Sequence, residues 1–164
     1  MKNLYIIGGT MGVGKTSVCR RLKQNLSNCV FLDGDNCWET SPLLNTEETR
    51  AMVLDNICYL LNNFIRCSAY ENIVFCWVMH EQNIINEILN KLDTSNCNVK
   101  LISLMCNETT LTARLRSEII NDIRTKDIIS RSLERLPLYE SLDTVKIDNS
   151  NKSIDSVVEE ILKV

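Results

Sequence analysis

The sequence predicts an α/β fold in which a single parallel sheet carries helices on both faces. Strand-like and helix-like patterns alternate along the whole chain of 164 residues, and the run at 73–79 is apolar throughout, as in a strand buried on both faces. Five strands separated by helices are typical of a doubly wound sheet with right-handed crossovers. The length suits a single domain, 1–164, with one core.

The individual strands and helices are recognised by the spacing of their apolar residues. In chain order, the predicted strands are 4–7, 30–32, 73–79, 99–105 and 144–147. The predicted helices are 16–26, 46–68, 83–92, a helix capped by Asn107, and a C-terminal helix bearing residues 154–162. Each helix repeats apolar residues every three or four positions, and the longest also has Glu47 and Glu48 in its first turn, where carboxylates favour the helix dipole. A charged stretch from Arg114 to Arg135 precedes the last strand.

Composition and charge narrow the class of protein. The net charge is -3, so the basic excess typical of nucleic-acid binding is lacking and no nucleic-acid partner is predicted. No apolar run approaches the roughly 18 residues of a membrane span, and the apolar start at 4–7 is too short for the core of a signal peptide. We therefore expect a cytoplasmic protein without a membrane partner, and a monomer and a homodimer both stay open.

Eight cysteines are spread singly along the chain, with no C-x-x-C pair and only one histidine. Zinc sites need closely paired ligands, and a disulfide framework needs an exported protein. We therefore expect free thiols, most of them small residues of the core.

A phosphate-binding loop is predicted where the chain matches G-x-x-x-x-G-K-[ST] without exception, in the segment Gly9-Thr10-Met11-Gly12-Val13-Gly14-Lys15-Thr16. Glycines let the backbone curl so that its N–H groups surround phosphate oxygens at a helix N-terminus. In such loops the lysine reaches the β- and γ-phosphates and the threonine hydroxyl binds Mg²⁺, which assigns these roles to Lys15 and Thr16, with Ser17 as a further nucleotide contact. The loop follows a strand and opens a helix, and four of the chain's five glycines lie at 8–14. ATP and Mg²⁺ are therefore the expected ligands.

A second site is predicted at Asp33-Gly34-Asp35, at the carboxyl end of the second strand. Ligands of open parallel sheets bind beyond the carboxyl ends of the strands. Two carboxylates at this position can divide the work, one lying near the metal and one accepting the proton of an attacking hydroxyl. The alternative is a plain Asp-Gly turn with solvated acids.

The spacing from GxxxxGKT to LDGD resembles that of the P-loop small-molecule kinases, the family of adenylate, shikimate, gluconate and adenylylsulfate kinases. The resemblance runs through the whole chain in element order, and its specific motifs lie at 8–16, at 31–35 and near 114. It implies a sheet order of 2-3-1-4-5, with Asp33 near Mg²⁺ and Asp35 at the substrate as general base. The implied activity is transfer of the γ-phosphate of ATP to a small molecule or a nucleotide.

The same resemblance implies a substrate-cover helix at about 46–68 and an arginine-rich lid at about 114–135. Arg114 would pack on the adenine. Arg124, in the least apolar part of the stretch, is favoured as the lid arginine that stabilises the transferring phosphate. The position four residues after Arg114, where the family often has a second arginine, holds Glu118.

Six further residues keep two interpretations, a ligand contact or an ordinary structural role: Arg131 and Arg135 of the lid, Arg50 and Trp38 beside the cover helix, and His80 with Glu81 after the third strand. For the arginines the structural role is a surface ion pair or a solvated position. For Trp38 it is packing, and for the histidine–glutamate pair it is capping of the next helix.

The third strand departs most from the family, because 73–79 has no aspartate where a Walker-B acid would hold a magnesium-bound water. Either Asp33 alone supplies that charge or the metal is held weakly. An ATPase and a nucleotide-binding sensor protein therefore stay open beside the kinase, and the phosphoryl acceptor is not specified. The segment 90–93 fits the guanine-reading pattern N-K-x-D, but it ends an amphipathic helix and is interpreted as a chance match.

Overall fold

A computed structural model of the chain describes residues 1–42, 44–121 and 127–164. The strands of its sheet are β1 (Lys2–Gly8), β2 (Cys29–Asp33), β3 (Asn72–Trp77), β4 (Cys97–Met105) and β5 (Val145–Asp148). Around the sheet lie the helices α1 (Lys15–Asn25), α2 (Glu47–Arg66), α3 (Gln82–Lys91), α4 (Glu108–Ile120), α5 (Ile128–Arg135) and α6 (Ile154–Leu162). Short 3₁₀ helices follow β2, at Gly34–Cys37, and α5, at Leu136–Ser141.

Neighbouring strands of the sheet all run parallel, in the order β2-β3-β1-β4-β5. This order confirms the predicted α/β fold and the strand order implied by the kinase resemblance. In the central strand β1, Leu4, Tyr5, Ile6 and Ile7 are each at most 3% exposed. Because successive side chains of a strand point to opposite faces, both faces of the sheet must be covered.

The predicted strands and helices are present, and their ends differ from the predicted ones by at most two residues. The clearest correction concerns β3, which ends at Trp77 and not at Met79 as predicted. Its pairing with β1 stops where Gly8 lies opposite Trp77, so the next residues have no strand beside them. Met79 is nevertheless 1% exposed, which explains why an apolar pattern alone extended the strand too far.

The starts of α2 and α4 follow capping residues that are visible in the sequence. The predicted cover helix is α2, which begins after Thr46. The Thr46 hydroxyl accepts from the Thr49 N–H at 3.1 Å, and the Thr49 hydroxyl accepts from the Thr46 N–H at 2.9 Å. Asn107 caps α4 as predicted, with its Oδ1 accepting from the Thr110 N–H at 2.8 Å.

All eight cysteines lie within the described ranges and are free thiols, as predicted. Half of them are buried: Cys19, Cys58, Cys76 and Cys106. In the part of the chain that the structure describes, no helix combines the length and apolarity needed to cross a bilayer.

Candidate functional site

The predicted phosphate-binding loop leaves β1 and enters α1 at the carboxyl edge of the sheet. Its residues Gly9, Gly12 and Gly14 have positive φ angles. The Lys15 ammonium lies over the loop, donating to the carbonyl oxygens of Gly9 at 2.9 Å and Thr10 at 3.0 Å. Because α1 begins at Lys15, the N–H groups of its first turn and the positive end of its dipole also lie here. The loop therefore offers positive charge and N–H donors to an anion.

The side chains of the loop divide between the core and the solvent. Thr10 and Val13 are fully buried, whereas Met11 is half-buried and Ser17 is exposed. The Thr10 hydroxyl donates to the Ser132 carbonyl oxygen of α5 at 2.9 Å. The loop is thus tied directly to the helix that completes the predicted lid region.

Gly12 allows the loop to lie against α4. Its φ is +79°, and a Cβ at this position would lie 2.5 Å from Leu115 Cδ2. A left-handed backbone and a contact of that closeness both require glycine.

Thr16 and Asp33 meet beside the loop, although they belong to different elements. Thr16 Oγ1 donates to Asp33 Oδ2 at 2.6 Å. Asp33 is 9% exposed, and its other carboxylate oxygen accepts from the Asp35 N–H at 3.2 Å. Both oxygens of this carboxylate are therefore oriented, and the two residues predicted as metal ligands lie together.

This pair fits Mg²⁺ by the chemistry of its donors. Hydroxyl and carboxylate oxygens are the hard ligands that Mg²⁺ takes, and the ion usually keeps several waters and binds through one or two protein groups plus substrate phosphates. Among the described residues, no three His, Cys, Asp or Glu side chains cluster closely enough to hold a metal by themselves. Thr16 and Asp33 thus suit an ion that arrives with a nucleotide.

Asp35, the second predicted carboxylate, is exposed in the first turn of the 3₁₀ helix that follows β2. The neighbouring Gly34 is pressed against Trp77 at the end of β3, and a Cβ on Gly34 would lie 2.7 Å from the indole. Cys37 in the same turn is half-buried. Burial first, and then the charges of Asp33 and Asp35, raise the pKa of its thiol. Asp35 therefore follows a glycine that is packed on an aromatic ring, and it lies on a side of the site that carries negative charge.

Arg114 of α4 is fixed against the outer side of the loop. Its Nη1 donates to the Val13 carbonyl at 2.9 Å and to Asn149 Oδ1 at 3.1 Å, and its Nη2 donates to the Asn149 carbonyl at 3.3 Å. Asn149 is 3% exposed, and its side-chain amide also donates to the Val13 carbonyl, at 2.6 Å. One carbonyl of the loop thus joins α4 to the residue that follows β5.

The predicted lid arginine, Arg124, lies outside the described residues. Arg131 forms an ion pair with Asp127 at 2.9 Å, one helical turn away on the exposed side of its helix. Arg135 turns inward, and its Nη1 lies 3.7 Å from the sulfur of Met11 in the loop. Of these two arginines, Arg135 is therefore the one at the site.

His80 follows β3 and lies near Arg135. Burial, and then the charge of Arg135, lower its pKa from the ordinary value of 6.5, while Glu81 acts in the opposite direction. Among the described residues its buried Nδ1 has no hydrogen-bond partner, and its Nε2 lies 3.4 Å from a Glu81 carboxylate oxygen. The capping alternative is wrong, because Glu81 occupies the N-cap position of α3 but its side chain makes no capping hydrogen bond.

Three residues that were not predicted from the sequence support the loop: Asn149, Ser132 and Tyr139. Tyr139 is fully buried, and a Cβ on Gly8 would lie 3.5 Å from its ring. Asn149 had one usable signal, its position just beyond the carboxyl end of a strand. Ser132 acts through its backbone carbonyl, for which no sequence pattern exists.

Two residues near α2 keep both of their interpretations. Arg50 is exposed and donates to Asn45 Oδ1 at 3.2 Å, and Trp38 is half-buried at the edge of the core. The N-K-x-D segment lies at the end of α3, where Lys91 pairs with Asp55 at 2.5 Å. Its lysine thus has a structural role on the helix surface, in agreement with a chance match.

The sequence and the fold of this chain are similar to those of known proteins. A family model described as an AAA domain matches residues 6–136. The chain is 27% identical over 173 aligned residues to a shikimate kinase of Bacillus cytotoxicus, with 99% of this chain and 98% of the relative covered. A solved gluconokinase from Sinorhizobium meliloti 1021 is 18% identical with a TM-score of 0.73, covering 98% of this chain and 90% of its own. A shikimate kinase from Acinetobacter baumannii in complex with shikimate is 20% identical with a TM-score of 0.64, covering 99% and 92%. The resemblance to P-loop small-molecule kinases is confirmed.

Proposed function

The chain belongs to the AAA domain family, and from that membership and the geometry of its site we propose that it is a kinase which transfers the γ-phosphate of ATP to a small molecule. The observation that carries the proposal is the hydrogen bond between Thr16 and Asp33 at 2.6 Å. It joins the phosphate-binding loop to the carboxyl end of β2, where an acceptor can approach. A loop that only held a nucleotide would not need a second carboxylate, Asp35, beyond this contact.

The phosphate donor binds through the loop. The loop N–H groups and the Lys15 ammonium, which now contacts two loop carbonyls, would exchange those contacts for phosphate oxygens. Thr16 and Asp33 would hold Mg²⁺, which neutralises charge on the β- and γ-phosphates. Asp33 then supplies the charge that the third strand lacks.

The acceptor hydroxyl is oriented by Asp35, which accepts its proton as the new bond to phosphorus forms. Arg135 lies beside the loop and provides positive charge for the oxygens of the transferring group. Catalysis in this scheme is positioning and charge stabilisation, as is usual for phosphoryl transfer. Arg124 keeps its predicted lid role as part of the proposal.

The acceptor is a small hydroxyl-bearing molecule, and a location in the cytoplasm stays part of the proposal. Two relatives are shikimate kinases and another is a gluconokinase. Their similarity to this chain supports the class of acceptor and not its identity. The free thiols of the chain suit a reducing compartment.

An ATPase or a nucleotide-binding sensor is the second candidate function, and the absence of an acid in β3 is the observation that favours it. The kinase is distinguished from these alternatives by measuring ADP release at saturating ATP. The release is measured first without an acceptor and then with sugars, sugar acids, shikimate-like acids and nucleotides. A kinase releases ADP slowly alone and rapidly with one acceptor class. Fast release without any acceptor indicates an ATPase.

Asp35→Asn tests the mechanism within that screen. We expect the acceptor-stimulated rate to fall by roughly 100-fold or more, in the range of general-base catalysis, while ATP affinity stays within about two-fold. Glu39→Gln, a charge change at an exposed position of the same loop, is the matched control. A stimulated rate that survives in Asp35→Asn would overturn the role of Asp35, and ATP binding that survives in Lys15→Ala would overturn the assignment of the loop.

A further inference from the structure

A cavity of about 380 Å³ opens on the outer side of the phosphate-binding loop. Its walls are the loop at 12–14, one face of α4, and the segment from Asn149 to the start of α6. Small-molecule sites have volumes of about 300–1,000 Å³. Because the cavity borders the loop that would hold the phosphates, it is the space available to the nucleoside of a bound nucleotide.

The floor of this cavity is apolar and one wall is a fixed guanidinium. Val13, Val18 and Val157 line the cavity and are each at most 2% exposed. Arg114 also lines it, and its hydrogen bonds to the Val13 carbonyl and to Asn149 hold its guanidinium in one orientation. A flat base can stack on a guanidinium held in this way.

A half-buried carboxylate completes the cavity. Glu118 lies one helical turn after Arg114, on the same face of α4, and both side chains line the space. An ionised carboxylate only accepts hydrogen bonds. Glu118 therefore favours a base that presents an N–H donor at its edge, whereas an arginine at this position would favour acceptors.

We propose that Glu118 reads the base of the phosphate donor, by accepting a hydrogen bond from the exocyclic amino group of adenine. This inference rests on the proposed binding of a nucleotide in the loop. Stacking on Arg114 holds a purine of any substitution, so the amino group is the feature that Glu118 adds to recognition. The carboxylate acts on binding alone and takes no part in phosphoryl transfer.

The test compares two nucleotides that differ only in this amino group, ATP and purine riboside 5′-triphosphate. Dissociation constants are measured with Mg²⁺ and without an acceptor, by competition against a fluorescent ATP analogue. We expect the wild-type chain to bind ATP about ten-fold more tightly, as expected for a hydrogen bond to a charged group. The preference should vanish in Glu118→Ala, because the two nucleotides then make the same contacts.

Two further variants guard against a general loss of structure. Glu118→Gln keeps a neutral acceptor and should retain a preference of about three-fold, since neutral hydrogen bonds are weaker. Glu159→Ala removes the same charge from an exposed position of α6 and should keep the full preference. Circular dichroism melting checks that each variant folds.

The outcomes separate this inference from the proposed function. A wild-type ratio near one, or a ten-fold ratio that persists in Glu118→Ala, overturns the inference while nucleotide binding stands. Tighter binding of GTP than ATP that is lost in Glu118→Ala overturns the choice of adenine. Failure of the wild-type chain to bind either triphosphate overturns the proposed function and the inference with it.

Discussion

His80 is a residue on which burial and a neighbouring charge act in the same direction. It is the chain's single histidine, its side chain is 20% exposed, and both burial and Arg135 disfavour the charged imidazolium. The folded chain therefore holds His80 neutral at pH values where the same residue in the unfolded chain begins to take up a proton.

The pKa of His80 in the folded protein is expected below 6.5. Between pH 7 and the folded pKa, His80 is protonated to a greater extent in the unfolded chain than in the folded chain. The free energy of unfolding therefore falls as the pH drops from 7 through 6.5 towards the folded pKa. Histidine ring resonances followed by NMR give the pKa without overlap, because no other histidine is present. Urea unfolding of wild type and His80→Gln at pH 5.5 and 7.5 should show a smaller pH dependence in the variant. A pKa at or above 6.5 would contradict the burial argument.

Residues of the site differ in how far the sequence could predict them. The positions of Lys15, Thr16 and Asp33 could be predicted because they depend on a local motif and on the end of a strand. Asn149 could not, because its importance comes from a carbonyl group 136 residues away in the chain. The sequence did not distinguish Arg135 from the other arginines of the predicted lid. Only the folded position of α5 shows that its side chain lies against the loop.

At the scale of elements, the contact between the phosphate-binding loop and α4 determines where Arg114 lies. Gly12 provides the space for this contact, and a methyl group there meets Leu115 at 2.5 Å. The same residue has a positive φ, so an added side chain is strained as well as crowded.

Gly12→Ala is expected to destabilise the fold by about 2–4 kcal/mol, from left-handed strain together with overpacking. Gly8→Ala is the matched control, because its added Cβ finds its nearest neighbour at 3.5 Å, an ordinary contact. We expect the control to cost less than about 1 kcal/mol. Denaturant unfolding measures the free energy of unfolding of both variants. An equal decrease in the two would show that the contact between the loop and α4 accommodates a methyl group without strain.

Elements with a simple period could be predicted within one or two residues, while their arrangement could not. The caps at Thr46 and Asn107 are local signals and are both present. The end of β3 was misplaced because strand ends depend on the neighbouring strand, which an apolar run cannot reveal. The strand order came from the kinase resemblance, since periodicity contains no information about which strands pair.

For the molecule as a whole, the site is assembled from parts that are distant in sequence. The loop after β1, the end of β2, one face of α4 and the residue after β5 all meet at the carboxyl edge of the sheet. A ligand that contacts several of these parts binds the folded chain and not the unfolded one. Binding must therefore raise the stability of the whole domain.

ATP with Mg²⁺ at about 100 times its dissociation constant is expected to add about 2.7 kcal/mol to the free energy of unfolding. For a domain of this size that corresponds to a rise in Tm of roughly 5–10 °C.

Thr16→Val removes the hydroxyl that contacts Asp33 at 2.6 Å. It should lose most of the additional rise that Mg²⁺ gives over ATP with a chelator. Thr109→Val, at an exposed position of α4, makes the same change away from the site and should keep the full rise. The smaller shift with ATP alone should survive in Thr16→Val, because this substitution leaves Lys15 and the N–H groups of the loop in place. A Mg²⁺-dependent shift that is equal in the two variants would mean that Thr16 does not hold the ion.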